Sequence, residues 1–405
     1  MDFPLDYVRG CFPSLQDSDT IYFDNIEAPQ SLGTVRTFEN NGFDGGADEL
    51  LRETRESLAF FLNSNVEWAA EEILIASDAT VLADRLSRAL ARSYPPDSEI
   101  VTTELDDEES LAPWLALESN GVKVEQWPIR RQYARIDTDR LGEMLSERTR
   151  LVVMSKASSA VGSIVELLPV ALGVQGHKSS LLVNWSAFLP HGAVDVRFLR
   201  TDFLIASTRL FCGANVGFLW GSRERMRSLR KDAPELFDAA SVEPKKLAGF
   251  GAALRYIEEL GLVTDDMQLQ PSEDYGRRRH MRRGMQAIRH YERSLTALAL
   301  RRLQAVPGAT VYGISDPDAA AHRIPHILFR LDGLEPKAIA AALAEKEVRV
   351  SHGSAGAPRL MKSLGLPEDE GGCVLSLLHY NTEKEIERFA EALHEIALYR
   401  AAVSG

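Results

Sequence analysis

Short apolar runs alternate with segments of helical periodicity along the first two thirds of the chain. Apolar residues fill seven runs that are typical of buried strands, at residues 72–76, 100–103, 122–126, 151–154, 181–183, 203–206 and 216–220. Between these runs the apolar residues recur at helical spacing, which predicts helices at residues 83–92, 111–119 and 138–145. Continuous apolar strands that alternate with helices are typical of a parallel sheet covered on both faces. The pattern therefore predicts an α/β fold with a mostly parallel sheet.

The pattern changes after a polar connection at residues 265–275, which Pro271 and Gly276 punctuate. Strands are predicted beyond it at 327–331, 348–351 and 373–378, and a closing helix at 383–399. These elements form a smaller α+β unit. We therefore expect an N-terminal segment, residues 1–20, that joins the small domain, a large domain of residues 21–264, and a small C-terminal domain of residues 265–405.

Composition indicates a folded protein and narrows the range of partners. The chain has 405 residues, of which 45% are hydrophobic and 26% charged, enough for more than one core. Its formal charge of -13 disfavours nucleic acid and anionic membranes as partners. No apolar run approaches the ~20 residues of a membrane span, and the N-terminus lacks a signal-peptide core. The three cysteines show no metal-binding spacing, so we expect no metal site. They suggest free thiols in a reducing compartment, so we expect a cytoplasmic protein.

A basic cluster stands out against this acidic background. It comprises Arg277-Arg278-Arg279-His280 with Arg282-Arg283, just before an apolar set at helical spacing that includes Met285 and Ile288. The cluster is predicted to decorate the solvated start of a long helix. A phosphate-binding patch is the alternative.

Several segments follow one another in a recognisable order. They are Ile21-Tyr22-Phe23-Asp24-Asn25, Leu111-Ala112-Pro113-Trp114, the stretch 155–164, Pro190-His191-Gly192-Ala193-Val194-Asp195, the stretch 202–213, and Leu378-His379-Tyr380-Asn381-Thr382. In order and spacing they resemble class V aminotransferases and cysteine desulfurases. The resemblance implies fold type I, the pyridoxal phosphate (PLP)-dependent transferase fold, a three-layer sandwich with a smaller α+β C-terminal domain. It also implies a homodimer, in which the stretch 239–242 matches the segment that reaches the neighbouring subunit.

The residue that would carry the cofactor in that family is replaced. The family holds PLP through an imine to a lysine, because only an unprotonated amine can form one. A match without gaps puts Leu210 at the lysine position, and the chain has no lysine between Lys178 and Lys231. A slip of one residue would put Arg209 there, but a guanidinium stays protonated. The resemblance therefore predicts that covalent PLP chemistry is lost.

Other cofactor contacts of the family map to unlike residues. Asn184 stands where an aspartate keeps the pyridine nitrogen protonated, and Asp107 where a histidine stacks on the ring. Asp78 lies in the phosphate loop, where it would repel a dianion, and Val374 replaces the substrate-carboxylate arginine. The segment Ser351-His352-Gly353-Ser354 has no cysteine to carry a persulfide. We expect no cofactor, with PLP absent, and neither cysteine desulfurase nor aminotransferase activity.

Titratable and polar residues remain at the predicted strand ends, where open α/β sheets bind ligands. Candidate catalytic residues are Asp107, Lys156 and Arg209, and candidate ligand-binding residues are Asp78, Glu108, Asn184, Trp185, Ser207 and His352. Lys156 could form an imine from a new direction, or it could pair with Asp107 or Asp78. His191 and His379 are interpreted as structural.

Two functional hypotheses follow. The first is a cofactor-independent lyase, cyclase or isomerase that acts on a small molecule by acid/base chemistry. The second is a non-catalytic relative that binds a small ligand or a partner protein, for example an active paralogue. In the second case the charged residues of the site could simply pair with each other. Fold analogy does not decide between them.

Overall fold

The structure is a computed structural model, and it describes residues 3–16, 18–43, 45–237, 242–264 and 273–404. Residues 239–241 of the predicted subunit-reaching stretch and residues 265–272 of the predicted connection lie outside this part of the chain.

Helices separate most of the strands along the chain. The helices are α1 Leu5–Gly10, α2 Gly33–Asn41, α3 Ala47–Leu62, α4 Ala69–Glu72, α5 Ala79–Ala91, α6 Glu108–Leu115, α7 Leu141–Met144, α8 Leu167–Gly176, α9 Val196–Leu199, α10 Arg223–Asp232, α11 Pro244–Val263, α12 Glu273–Gln304, α13 Pro336–Ala344, α14 Pro358–Leu364 and α15 Glu383–Ser404. The strands are β1 Ile21–Phe23, β2 Ile73–Ala76, β3 Glu99–Thr103, β4 Lys123–Trp127, β5 Ile129–Arg130, β6 Arg135–Ile136, β7 Thr149–Ser155, β8 Ser180–Asn184, β9 Phe203–Ser207, β10 Gly217–Gly221, β11 Ala309–Val311, β12 His326–Leu331, β13 Val348–Gly353 and β14 Gly372–Ser376.

A seven-stranded sheet with the order β2-β10-β9-β8-β7-β3-β4 forms the centre of the fold. All its neighbouring pairs are parallel except those of β10, which runs antiparallel to both β9 and β2. The seven strands predicted from apolar runs are confirmed, with ends shifted by one or two residues. The mostly parallel sheet is therefore confirmed as well.

Side chains from one strand enter different cores on the two faces of this sheet. On β7, Val152 and Met154 join the core that also contains residues of α3 and α11. Leu151 and Val153 join the core that contains residues of α5 and α6. Because successive side chains of a strand point to opposite faces, an uninterrupted apolar run lets both faces be covered. This arrangement is the predicted three-layer sandwich.

Two predicted helices are split between helix types. The predicted helix 111–119 appears as α6 followed by a 3₁₀ helix, Ala116–Asn120. The predicted helix 138–145 appears as a 3₁₀ helix, Thr138–Arg140, followed by α7. The predicted helix 83–92 corresponds to the longer α5, which starts four residues earlier and has Arg92 as its C-cap.

A second sheet of five strands has the order β1-β13-β14-β12-β11. It packs against α13, α15 and the C-terminal half of α12 in a core of its own. Strand β1 pairs with β13 in parallel, so these N-terminal residues belong to the small sheet although they fall inside the predicted large domain of residues 21–264. The division of the chain into residues 1–20, 21–264 and 265–405 stays a proposal.

The long helix α12 packs against both units and confirms that the basic cluster lies near the start of a long helix. Its N-terminal half gives Met281 and Met285 to the large core, and its C-terminal half gives Leu300 to the small core. Between them, Glu292 Oε2 lies 2.8 Å from His191 Nδ1 in a pair without solvent exposure. Burial lowers the pKa of His191 and raises the pKa of Glu292, so burial favours the neutral form of each.

Candidate functional site

A cleft lies at the carboxyl edge of the large sheet, beyond the ends of β2, β8 and β9. Its empty volume is about 870 Å³, part of which is open to solvent. The polar side chains that line it are those of Asp78, Thr80, Asp107, Glu109, Ser110, Ser159, Asn184, Ser186, Ser207 and Arg209. The carboxyl edge is where open α/β sheets place their ligands.

Asp78 reaches the cleft as the N-cap of α5. Its Oδ1 accepts hydrogen bonds from the backbone N–H and the hydroxyl of Thr80, both at 2.8 Å. Strand β10 passes directly beneath this helix start. A Cβ on Gly217 would lie 2.1 Å from the backbone nitrogen of Ala79, so only glycine permits this approach. The position of the Asp78 carboxylate thus depends on Gly217.

Asp107 reaches the cleft in the same way, as the N-cap of α6. Its Oδ1 accepts the backbone N–H of Ser110 at 2.8 Å. A loop of the small unit closes over this turn, because the Glu108 N–H donates to the carbonyl of Gly356.

Asn184 stands at the end of β8 in a hydrogen-bond network that fixes its amide. Its Nδ2 donates to Ser110 Oγ at 2.5 Å, and its Oδ1 accepts from the N–H and the hydroxyl of Ser186. Ser186 Oγ in turn accepts the backbone N–H of Ser207 at 2.9 Å. The network joins the start of α6 to the ends of β8 and β9, and it orients one wall of the cleft.

The buried residue Asp106 holds two strand ends together beneath the cleft. Its Oδ1 accepts the N–H of Ser155 at 2.6 Å, and its Oδ2 accepts the N–H and the hydroxyl of Thr103 at 3.0 and 2.7 Å. These donors lie at the ends of β7 and β3. Burial raises the pKa of Asp106 to about 6, although the three donors act in the opposite direction.

The cleft carries three carboxylates and one guanidinium. Glu109 stays partly exposed at the mouth, where partial burial and then the neighbouring Asp107 and Asp78 raise its pKa, while Arg209 lowers it. Arg209 is exposed, and its Nη1 donates to the carbonyl of Glu27 at 3.2 Å. Within the described part of the chain, none of the three carboxylates forms an ion pair. The interpretation that charges of the site pair with each other does not hold for these three.

Five of the nine predicted site residues meet in the cleft, and Glu108 and His352 do not. The cleft contains Asp78, Asp107, Asn184, Ser207 and Arg209. Glu108 pairs instead with Arg359 at 3.0 Å, because successive residues of a helix point about 100° apart and only its neighbour Glu109 faces the cleft. His352 is exposed on β13 and lies outside the cleft.

Lys156 and Trp185 also lie outside the cleft. The Nζ of Lys156 donates to the carbonyl of Val165 at 2.6 Å and sits over the rings of Trp185 and Phe188, 5.8 and 5.4 Å from their centroids. Burial, and then the nearby Arg289, lower the pKa of Lys156 to about 8. The predicted pairing of Lys156 with Asp107 or Asp78 is therefore wrong, and its amine is directed away from the cleft.

Glu109, Ser110 and Ser186 line the cleft but were not identified by sequence reasoning. The spacing Asp107-x-x-Ser110 is an N-cap pattern, and it could have indicated that a helix begins at Glu108. No signal in the sequence pointed to Ser186.

A sequence model described as Aminotransferase class-V matches residues 30–279 and 278–389. This chain belongs to the class-V aminotransferase family. Its relatives include the aminotransferase-like protein FGM3 of Gibberella zeae, 26% identical over 97% of this chain and 98% of that protein. A cysteine desulfurase of Pectobacterium atrosepticum is 26% identical, with 98% of each chain covered. The solved structure of the Escherichia coli cysteine desulfurase CsdA superposes with a TM-score of 0.81, at 20% identity over 98% of this chain and 99% of that one. The predicted family and fold type are confirmed.

Family membership corrects two predictions. Class-V aminotransferases and cysteine desulfurases are PLP-dependent, so the prediction of a protein without cofactor, working as a PLP-independent lyase, cyclase or isomerase, is contradicted. The prediction that the chain is neither a cysteine desulfurase nor an aminotransferase is contradicted by the same relatives. Both predictions relied on the replacement of several cofactor-contacting residues, whereas the similarity to PLP-dependent relatives extends along the whole chain.

The side chains of the cleft nevertheless do not fit PLP as the resemblance would hold it. Leu210 lines the cleft at the predicted lysine position, and no lysine is among the described lining residues. Asp78 caps the helix start where a phosphate would otherwise accept the N–H groups. Val374 is buried within β14, paired with Leu328 and Ser351, and does not reach the cleft. The cofactor of the family and the residues of this cleft therefore disagree.

Two absences concern only the described part of the chain. None of its helices has the length and apolar character needed to cross a bilayer. None of its groups of histidine, cysteine, aspartate and glutamate side chains is arranged to hold a metal ion.

The Asp106→Asn substitution should lower the free energy of unfolding by about 1–3 kcal/mol, because an amide NH₂ would face either Thr103 N–H or Ser155 N–H, both donors. Chemical denaturation monitored by circular dichroism measures the change. Asp107→Asn is the matched control and should alter stability by less than about 0.5 kcal/mol, since asparagine caps a helix as well as aspartate does. Equal stability of Asp106→Asn and wild type would contradict the role assigned to this carboxylate.

Proposed function

We propose that this member of the class-V aminotransferase family binds a small molecule with a protonated amine in the cleft. The observation that supports the proposal is the set of three carboxylates, Asp78, Asp107 and Glu109, that line one cleft without an ion-pairing partner among the described residues. Like charges held close together cost free energy unless a cation accompanies them.

The two aspartates keep hydrogen-bonding capacity for a ligand. Their hydrogen bonds to the helix starts use Oδ1, which leaves Oδ2 of Asp78 and of Asp107 for a ligand. A protonated primary amine has three N–H donors and no acceptor, which suits a site of several carboxylates. Each aspartate is also fixed in place by its N-cap role, so little side-chain freedom is lost on binding.

The cleft also has apolar surface and one cationic side chain among its described lining residues. Trp114, Val153, Leu182, Ile205 and Leu210 supply apolar surface to the cleft, as in most small-molecule sites. Arg209 is the only cationic side chain among the described lining residues, and it would attract an anionic group on the same ligand. A small amine with an apolar body and room for an anionic group therefore matches the cleft.

The assembly and location of the protein also belong to the proposal. Class-V relatives are commonly dimeric, and we propose a homodimer in the cytoplasm. Static light scattering at micromolar concentration should give twice the 44.9 kDa mass of the chain. A mass equal to one chain would overturn the dimer.

We expect 1,4-diaminobutane to bind in the cleft, and 1,4-butanediol, which has the same length and no charge, to show no binding. Isothermal titration calorimetry at low ionic strength measures both. Glu109→Gln should weaken diamine binding up to about fivefold, a modest effect because Glu109 is partly exposed. Glu108→Gln is the matched control on the same helical turn, and it should leave the affinity unchanged because Glu108 pairs with Arg359 outside the cleft.

The same titration has a defined pH dependence. A carboxyl with a raised pKa is neutral at low pH and becomes ionised as the pH rises through that pKa, so diamine affinity should increase as the pH rises above the ordinary glutamate pKa of about 4.3. In Glu109→Gln this increase should be smaller. Equal binding of diamine and diol, or equal weakening by Glu108→Gln and Glu109→Gln, would overturn the proposal.

A further inference from the structure

A second cavity lies at the opposite edge of the large sheet and shares no residue with the cleft. It is bounded by the end of α3, the segment 193–198 and one face of α12, and its empty volume is about 730 Å³. The chain enters β2 after α3 and β9 after α9, so this cavity lies near the amino ends of strands whose carboxyl ends form the cleft. A ligand of this cavity would therefore not take part in the chemistry of the cleft.

Helix α12 presents two kinds of side chain to this cavity. Met281 and Met285, one turn apart, form an apolar floor together with Phe60 and Phe61. Arg278 and Arg282, also one turn apart, stand beside them on the cavity wall. Like charges four residues apart on a helix repel each other, so this arrangement costs stability in the absence of an anion.

One carboxylate faces these arginines, and three hydrogen bonds already engage it. Asp195 Oδ1 accepts from the side chain of Asn63 at 2.8 Å and from the N–H of Phe198, and Oδ2 accepts from Arg278 at 3.1 Å. Burial lowers the pKa of Arg278, Asp195 acts in the opposite direction, and the nearby Arg197 and Arg282 lower the pKa by smaller amounts. Within the described residues, Arg282 and Arg197 form no ion pair. Among the described residues, positive charge at the cavity therefore exceeds the negative charge that faces it.

The rim of the cavity is apolar and exposed. Phe198 leaves 68% of its surface open to solvent, next to the apolar floor. An exposed aromatic side chain suits a ligand with a flat, apolar body. The guanidinium groups, which outnumber the carboxylate that faces them, suit a ligand with an anionic group.

We propose that this cavity is a binding site for a small amphipathic anion, a carboxylate, phosphate or sulfonate attached to an aromatic or aliphatic body. The anionic group lies between Arg282 and Arg278, and the apolar body covers Met281, Met285 and Phe198. The basic cluster of α12 thus contributes two of its arginines to a ligand site, while Arg277 pairs with Glu258.

The probe for this site is 8-anilinonaphthalene-1-sulfonate, an aromatic sulfonate that becomes fluorescent in apolar surroundings. Its affinity for the wild-type protein should exceed that for Arg282→Gln about tenfold, the loss expected for one hydrogen bond to a charged group. Phe198→Ala should weaken binding severalfold, and it removes little packing because the side chain is exposed. N-phenyl-1-naphthylamine, which has the same apolar body without the sulfonate, should bind weakly and equally to wild type and Arg282→Gln.

Arg302→Gln is the control variant on the same helix. Arg302 lies near the C-terminal end of α12, where it pairs with Glu387 of α15, and it does not line the cavity. Its probe affinity should equal that of wild type. Circular dichroism melting of all three variants distinguishes loss of the site from loss of the fold. Equal probe affinity of wild type and Arg282→Gln, or equal affinity of wild type for the charged and neutral probes, would overturn the proposal. Vesicles of phosphatidylglycerol should not carry the protein upward in a flotation assay. Co-flotation that Arg282→Gln abolishes would overturn the proposal in favour of a membrane surface as the ligand.

Discussion

The cleft depends on one buried carboxylate, that of Asp106, which fixes the ends of β3 and β7 relative to each other. Parallel strands end with backbone N–H groups that the sheet no longer pairs, and a buried donor without a partner is costly. Asp106 accepts such groups from both strands. The residue that follows it, Asp107, is thereby held at the start of α6, and the network from Ser110 through Asn184 to Ser207 extends the same rigid edge across the sheet.

The charge of the cleft does not match the phosphate group of the family's cofactor. The start of α5 provides backbone N–H groups that suit an anion, yet the Asp78 side chain already accepts one of them. Three carboxylates then make the cleft electronegative, and among the described lining residues Arg209 alone balances them. A cation satisfies this field, whereas a phosphate group would meet repulsion from Asp78. The second cavity has the opposite balance, so the two sites would select ligands of opposite charge.

The sequence predicts correctly the elements that the spacing of apolar residues and their burial determine. It does not predict the direction of individual side chains at the ends of those elements. The apolar runs located all seven strands of the large sheet, because a strand buried on both faces has few alternatives. Adjacent residues at a strand or helix end point in different directions. Position in the sequence therefore predicts a place in the cleft for Glu108 and Lys156, which do not line it. Strand β1 lies within the proposed large domain of residues 21–264, and it pairs with β13, more than 300 residues away in the chain. The absent lysine was interpreted as loss of the cofactor, which similarity along the whole chain contradicts.

The most direct test of the acidic cleft is a crystal structure determined from crystals grown with 1,4-diaminobutane, beside one from crystals grown with PLP. Density for the diamine is expected in the cleft, with one nitrogen about 3 Å from carboxylate oxygens of Asp107 and Asp78. A cleft without diamine, together with PLP whose phosphate lies at the start of α5 beside Asp78, would contradict a cation-binding cleft.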